Sequence, residues 1–298
     1  MKNETSITDK SKALHIADVS GSALFQGDCL DIMPLIPDKS VQLILADLPY
    51  GTTACKWDSI IDLELLWRQY KRIIKDNGAI VLTASQPFTS ALIMSNPKLF
   101  KYQWIWVKTK KTGFTNGKNR PLTQHEDVLV FSKANVANGS KLMMKYKPQG
   151  LLPLNKIRKG DKNKSDGDFN GQKYYRPSQS KDYIQEFTNY PTTVLKFQSE
   201  GKILHPTQKP VELMKYFIAT YSDENDYVLD NTMGVGTTCL ASKELNRKFI
   251  GIEKEPEYFE IAINRVFNHD SKCDVCFQTK SIKQNEDNHF YCKKCSEL

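Results

Sequence analysis

Val41-Gln-Leu-Ile-Leu-Ala-Asp47-Leu48-Pro49-Tyr50-Gly51 is the stretch on which the reading of this chain turns. The short apolar run from Val41 to Ala46 lacks the alternation of a half-exposed strand and reads as a strand buried in a parallel sheet. It ends in Asp-Leu-Pro-Tyr-Gly, where Pro49 and Gly51 stop the strand and leave three functional groups at its carboxyl end. In open α/β sheets that end is where ligands bind. Asp47 offers a carboxylate, the chain before Pro49 an extended carbonyl, and Tyr50 a flat aromatic face. A carboxylate and a carbonyl side by side can accept both hydrogens of an exocyclic amine while a ring stacks on the attached base. That suits a nucleobase lifted out of its stack. The plainer alternative is a strand closed by a Pro-Gly turn with a capping Asp.

At 298 residues and 40% apolar content, the chain suits one α/β domain with appendages. No stretch reaches the ~18–20 apolar residues of a membrane span, and the polar start MKNETSITDKSK is no signal peptide, so no membrane partner and a cytoplasmic location are expected. Lys and Arg total 42 against 34 Asp and Glu, a net +8 that fits a polyanionic partner. Cys29, Cys55 and Cys239 stand alone and read as small buried apolar residues.

Working outward from the opening strand, residues 1–20 read as a polar arm. Residues 21–138 form one half of an α/β domain. Strands are expected at Ser22–Gln26, Ala79–Thr83, Tyr102–Val107 and Val128–Phe131, and helices at Leu30–Ile36, Trp57–Ile74 and Phe88–Met94. Asn77-Gly78 reads as the stop of the second helix. The stretch 108–122 is basic, with Gly, Asn and one Phe, and reads as a loop. Across 139–202 the alternation fails. Eleven Lys or Arg face three Asp between Lys141 and Lys181, with Tyr146, Phe169, Tyr174, Tyr175 and Tyr183 interspersed. That suits either a nucleic-acid surface or a solvated insertion. The α/β pattern resumes over 203–267, with helices at Pro210–Tyr221, Cys239–Leu245 and Tyr258–Phe267 and strands at Tyr227–Leu229 and Lys248–Ile252.

In this last part Asp230-Asn-Thr-Met-Gly234-Val-Gly236-Thr237-Thr238 lies between a strand and a helix. The glycines allow a tight turn and close approach to a ligand, and the helix start offers free N–H groups. About twenty residues on, a second strand ends in Glu253, placed to bind ribose hydroxyls. The loop lacks a full G-x-G-x-x-G and any G-K-[ST], which weakens nicotinamide-dinucleotide and P-loop readings.

In the tail, 268–298, Cys273-x2-Cys276, fifteen residues, then Cys292-x2-Cys295 matches a four-cysteine zinc pattern. Four thiolates make a closed structural site, expected to hold a small zinc ribbon together. Two disulfides or a redox pair are the alternatives.

The motifs together resemble the β group of the DNA amino-methyltransferases. Asp47-Leu48-Pro49-Tyr50 is similar to their Asp-Pro-Pro-Tyr, with Leu48 in place of the first Pro. Asp230 to Thr238 resembles their S-adenosylmethionine loop. His205-Pro-Thr-Gln-Lys209-Pro210 is similar to the segment preceding it, Gly27-Asp28 to the motif facing the cofactor adenine, and Ser85-Gln86-Pro87-Phe88 and His125 to Phe131 also match. No cysteine follows a proline, so the nucleophile of the cytosine-C5 enzymes is missing. The resemblance implies a Rossmann-like sheet with an inserted target-recognition region. It implies base flipping and transfer of methyl from S-adenosylmethionine to the N6 of adenine in double-stranded DNA, at a specific site. Asp47, Leu48, Pro49 and Tyr50 would be catalytic. Asp28, Asp47, His205, Lys209, Asp230, Gly234, Gly236, Thr237, Thr238 and Glu253 would hold the cofactor. N4-cytosine methylation, RNA methylation, and a zinc-dependent DNA-binding protein with an inactive methyltransferase fold are the rival readings. A homodimer and a cognate restriction endonuclease are the protein partners left open.

Overall fold

The computed structural model describes residues 14–17, 21–51, 59–160, 168–169, 172–173, 182–198, 208–267, 282–284 and 290–292. Its first part runs β1 (Leu14–Ala17), β2 (Ala23–Gln26), α1 (Cys29–Ile32), β3 (Val41–Asp47), α2 (Leu63–Ile73), β4 (Ile74–Ala84), α3 (Phe88–Ser95), β5 (Phe100–Thr112) and β6 (Thr123–Phe131). There follow β7 (Leu152–Arg158), β8 (Asp168–Phe169), β9 (Gln172–Lys173), β10 (Tyr183–Thr188) and β11 (Val194–Lys196). The last part holds α4 (Val211–Tyr221), β12 (Tyr227–Asp230), α5 (Thr237–Glu244), β13 (Lys248–Glu253), α6 (Pro256–Phe267), β14 (Ile282–Gln284) and β15 (Phe290–Cys292).

Among the described residues one sheet has the order β1-β2-β13-β12-β3-β4-β6-β5-β11. Its centre, β2-β13-β12-β3-β4, is parallel; β6 pairs antiparallel with both β4 and β5. The two faces of β3 separate as a doubly covered strand requires. Ile44 and Ala46 pack with Leu66, Trp67 and Tyr70 of α2, while Leu43 and Leu45 pack with Leu213, Phe217 and Tyr221 of α4. The chain leaves β3 through α2 toward β4, and leaves the neighbouring β12 through α5 toward β13. The order therefore reverses between β3 and β12, and a crevice opens at their carboxyl ends. Asp47 and Asp230 sit on its two sides. No described helix is long and apolar enough to cross a membrane.

The chain divides into two compact units, Met1–Lys147 with Thr193–Leu298, and Pro148–Thr192. In the smaller unit β7 and β10 form an antiparallel ribbon, with Ile157 opposite Ile184 and both largely exposed. The expected 139–202 segment is thus wider than the separate unit. Residues 139–147 belong with the sheet, where Lys147 N–H donates to the Thr220 oxygen.

Several expected boundaries move. The helix expected from Trp57 begins at Leu63, because Asp62 caps it by accepting from the N–H groups of Glu64 and Leu65. Asn77-Gly78 does not stop that helix; it lies inside β4, which starts directly after it. The strands flanking the basic 108–122 stretch are longer than expected, β5 running into it as far as Thr112 and β6 beginning at its edge with Thr123. Cys29 and Cys239 are buried as expected, and burial pushes the Cys29 thiol up to about 11. Cys55 lies outside the described residues.

Candidate active site

The crevice widens into a cleft of about 840 Å³, lined on one side by Asp47 to Tyr50 and on the other by Asp230 to Val235. Asp47 is the last residue of β3 and pairs in register with Thr83 of β4. Its carboxylate is closely held. Oδ2 receives the Lys209 ammonium at 2.6 Å. Oδ1 accepts from the Thr83 hydroxyl and, at 2.8 Å, from the Tyr50 hydroxyl. The two hydroxyls lie 3.1 Å apart because both converge on one oxygen. From the β12 side, Thr232 Oγ1 donates to the Asp47 main-chain oxygen at 3.0 Å, tying the two halves of the crevice together.

Lys209 precedes α4, whose first turn is entered through Pro210. It is 7% exposed and bridges two acids, with Glu126 Oε2 at 3.2 Å; Lys108 closes the chain on Glu126 Oε1 at 3.0 Å. Burial works against the Lys209 charge, but Asp47 and Glu126 outweigh it and raise its pKa. Burial likewise opposes the Glu126 charge, and the two lysines overcome it, holding that carboxyl below its usual range. Four alternating charges thus run from the cleft into the sheet edge. Tyr50 packs on Phe88 with centroids 5.4 Å apart and planes at 26°. Burial first, then the Asp47 charge, push its hydroxyl pKa well above 10. Leu48, where the resemblance expects proline, is 3% exposed and belongs to the core under α1 and α2.

On the other wall, Gly234 has φ +52 and nothing within 4 Å of where a Cβ would stand, so the backbone faces open cleft. Gly236 has φ +74, and a Cβ there would lie 3.0 Å from Val266 and 3.1 Å from Ala262, so α5 packs on α6 only with glycine at this turn. Glu253 ends β13 and accepts from Gly234 N–H on Oε2 and from Glu255 N–H on Oε1, both at 2.8 Å. Burial nonetheless raises its pKa. Asp28 caps α1 through Leu30 N–H and meets Lys254 at 3.2 Å. Thr237 accepts from Arg265 at 2.8 Å.

Asp28, Asp47, Lys209, Asp230, Gly234, Thr237, Thr238 and Glu253 therefore meet around one cleft, with Leu48, Pro49 and Tyr50 on its rim. Gly236 supports it from behind. His205, Cys273, Cys276 and Cys295 lie outside the described residues, and of Cys292 only the backbone is described. Among the described residues no cluster suited to a metal ion occurs. Thr83, Glu126 and Lys108 were not singled out by sequence. For Glu126 the signal was the match of His125 to Phe131, which gave it no role of its own.

Asp230 is wholly buried; burial pushes its carboxyl to about 7, with the Thr238 and Thr232 hydrogen bonds opposing. Between its ordinary 3.8 and about 7, the folded chain holds a proton that the unfolded chain has released. Asp230 thus favours folding below that window and disfavours it increasingly as pH rises through it. Asp230→Asn should melt close to wild type at pH 4 and be more stable by roughly 2–4 kcal/mol at pH 8. Calorimetry at both pH values tests this; a pH-independent difference would contradict it.

A sequence profile for DNA methylases of the N6/N4 type matches residues 41–264. The type II methyltransferase M1.MboII of Moraxella bovis is 28% identical over 262 residues, spanning 82% of this chain and 96% of the relative. The DNA adenine methyltransferase YhdJ of Escherichia coli is 26% identical over 256 residues and 82% of each chain. Among solved structures, an M1.HpyAVI–SAM complex is similar with TM-score 0.52 and 27% identity, covering 81% of this chain and 98% of that one. The profile match runs from the first residue of β3 to within α6, through both walls of the cleft. This chain belongs to the DNA methylase family.

Proposed function

We propose that this methylase transfers a methyl group from S-adenosylmethionine to the N6 amine of adenine in double-stranded DNA, after the base leaves the helix. One observation carries the reading: a carboxylate at the end of β3, fixed on three sides, with an aromatic ring beside it and a glycine turn across the cleft. Cofactor and base then meet at the crevice between β3 and β12.

The residues present fit the cofactor. Gly234 leaves the cleft open against the α5 start, and Asp28 and Glu253 line its far end. The lining includes Asp28, Asp47, Glu126, Asp230, Glu253 and Glu255 against Lys108, Lys209 and Lys254, an acidic balance suited to a cation. S-adenosylmethionine supplies an electrophilic methyl on a sulfonium. Glu253 would accept from ribose hydroxyls on lone pairs left over from its two backbone bonds, and Asp28 would face the adenine. The expected contacts of His205 and Lys209 bordering the methionine end remain part of this proposal. For Lys209 the geometry supports a different emphasis, since its ammonium orients Asp47.

On the DNA side, Asp47 and the Leu48 carbonyl would accept the two amine hydrogens and turn the nitrogen lone pair toward the methyl. Tyr50, backed on one face by Phe88, would present the other to the base. The nitrogen attacks before its extra proton leaves, so no general base is required. Asp rather than Ser at position 47, and the adenine in the name of the Escherichia coli relative, favour N6 of adenine. N4 of cytosine presents the same amine beside a ring nitrogen and is the second reading. Within the proposed recognition region, 139–202, the β7–β10 ribbon offers Lys156, Arg158 and Tyr183 on an exposed surface. A type II setting with a cognate endonuclease, and pairing with a second copy of the chain, belong to the same proposal. Methylome sequencing of a methylation-free bacterium expressing the chain reports base and context together. Unmodified DNA would refute the reading, and N4-methylcytosine would select the rival.

The tail is proposed to hold one zinc ion on Cys273, Cys276, Cys292 and Cys295. β14 lies between the two pairs and β15 ends on Cys292; the two strands are antiparallel with Ile282 opposite Cys292, a pairing that suits bringing separated CxxC pairs together. Protein purified without added metal should contain one zinc per chain, released on acidification as the thiolates protonate. Cys292→Ser should lose the metal yet keep cofactor binding. Elemental analysis showing none in wild type would retire the site.

A further inference from the structure

The β5–β6 ribbon carries features the reaction does not use. β4 pairs with β6 only from Asp127 to Phe131, and β11 pairs with β5 only from Ile105 to Val107. Beyond the Val107–His125 pair, the two strands pair only with each other among the described residues, closing at Thr112 and Thr123. Thr112 is six residues on from Trp106, which lies opposite Glu126, so it stands roughly 20 Å beyond Glu126 at ~3.3 Å per residue. Ala84 of β4 faces Asp127, so the ribbon leaves the sheet at the end that carries Asp47. Its root is the Lys108–Glu126–Lys209–Asp47 chain of charges.

The composition of the projecting part is one-sided. Residues 108–122 contain no Asp or Glu. Lys108 is taken by Glu126, while Lys110, Lys111, Lys118 and Arg120 are exposed and form no ion pair with a described residue. At the apex, Gly113 in the left-handed region opens a single 3-10 turn that presents Phe114, 70% exposed. An aromatic ring held outward among cations gains nothing from folding, and on this site it suits one partner.

We propose that this ribbon is a DNA-docking arm: Lys110, Lys111, Lys118 and Arg120 neutralise phosphates flanking the target, and Phe114 enters the base stack where the target leaves it. The partner is duplex DNA, chosen by charge complementarity and by the place of the ribbon beside Asp47. Apolar wedges of this kind unstack a base step and lower the work of extruding a base. The inference rests on the methyltransferase reading above and adds a residue-level role to it.

Two variants separate the parts. In fluorescence anisotropy with a labelled duplex, the Lys110→Gln, Lys111→Gln, Lys118→Gln, Arg120→Gln variant should flatten the slope of log Kobs against log salt by about 3.6, four contacts at ~0.9 each. Each pair of substitutions alone should give about half of that. Phe114→Ala should leave the slope unchanged. With a duplex carrying 2-aminopurine at the target position of the site mapped by methylome sequencing, it should lose most of the fluorescence rise on flipping and slow methylation about tenfold or more, and Phe114→Trp should restore both. All variants should bind S-adenosylmethionine as wild type does, which certifies the fold. An unchanged salt slope retires the phosphate role, and unchanged flipping by Phe114→Ala retires the wedge. A wild-type protein that neither binds nor methylates DNA would instead sink the reading on which the arm depends.

Discussion

Asp47→Ala should lower methyl transfer by roughly 10³-fold or more while leaving cofactor affinity within a few-fold. In the proposed reaction the carboxylate acts on the substrate amine, and the glycine turn, Asp28 and Glu253 stand on the opposite wall. The fold should survive because Lys209 keeps Glu126 as a partner at 3.2 Å, and Thr83 and Tyr50 lose only an acceptor at the cleft rim. Asp47→Asn is not a mild alternative. Its amide oxygen would stay on the Lys209 ammonium and its nitrogen would donate to the Thr83 and Tyr50 hydroxyls, which must turn from donors into acceptors, and the negative charge offered to the amine would be lost. Single-turnover kinetics beside calorimetric titration with S-adenosylmethionine distinguish the cases. Turnover near wild type would remove Asp47 from the chemistry, and loss of cofactor binding alone would move it to the other wall.

The opening strand was legible because both faces of β3 are covered, and a strand buried on both sides shows as an unbroken apolar run. The helices against it were legible for the same reason. What misled was local. Apolar residues at Ile60 and Ile61 continue the helical spacing of α2 backwards, but Ile60 is exposed and the cap at Asp62 sets the start. Asn77-Gly78 resembles a helix stop, yet Gly78 serves a close approach between strands. A Cβ there would lie 2.8 Å from the Gln42 carbonyl, where the β3–β4 register slips between Val41 and Leu43. From Thr109 to His125 the projecting part of the β5–β6 ribbon has no buried residue, so it carries no alternation for a sequence pattern to reveal.

At the site, the residues that end strands announced themselves, since Asp47, Asp230 and Glu253 each follow an apolar run. Their partners did not. Thr83 reaches Asp47 through strand register, and Glu126 through a lysine from the far half of the chain. Such contacts join positions far apart in sequence, and spacing carries no trace of them. The same holds for Leu48, whose departure from proline makes sense only once its side chain is seen in the core.

Lys209→Met should be the most damaging single change that leaves Asp47 and the glycine turn themselves intact. The chain is similar in length and apolar, so packing is kept while the charge is lost. Asp47 and Glu126 then face one another across the gap left by the ammonium, with Lys108 as the remaining cation on Glu126. Breaking a buried pair by removing one partner costs about 3–5 kcal/mol, and less here because Asp47 is a quarter exposed and Glu126 keeps Lys108, so roughly 1–3 kcal/mol is expected. The pH dependence has a definite sign. Glu126 has its pKa lowered in the folded chain, so its contribution is present above its ordinary 4.5 and lost as pH falls through the folded value. Lys209 has its pKa raised, so its contribution is complete below its ordinary 10.5 and lost only as pH climbs past that. The deficit of Lys209→Met should therefore be full near pH 7 and shrink as pH falls below the ordinary 4.5 of Glu126. Turnover should fall by roughly 10²-fold with little change in cofactor affinity, because Asp47 loses the contact that fixes Oδ2. Lys209→Arg should recover stability better than turnover, since a planar guanidinium keeps the charge but not the point contact at 2.6 Å. A Lys209→Met protein with wild-type turnover, or one whose lost stability is the same at pH 4 and pH 7, would show that the ammonium neither orients Asp47 nor holds the two acids in place.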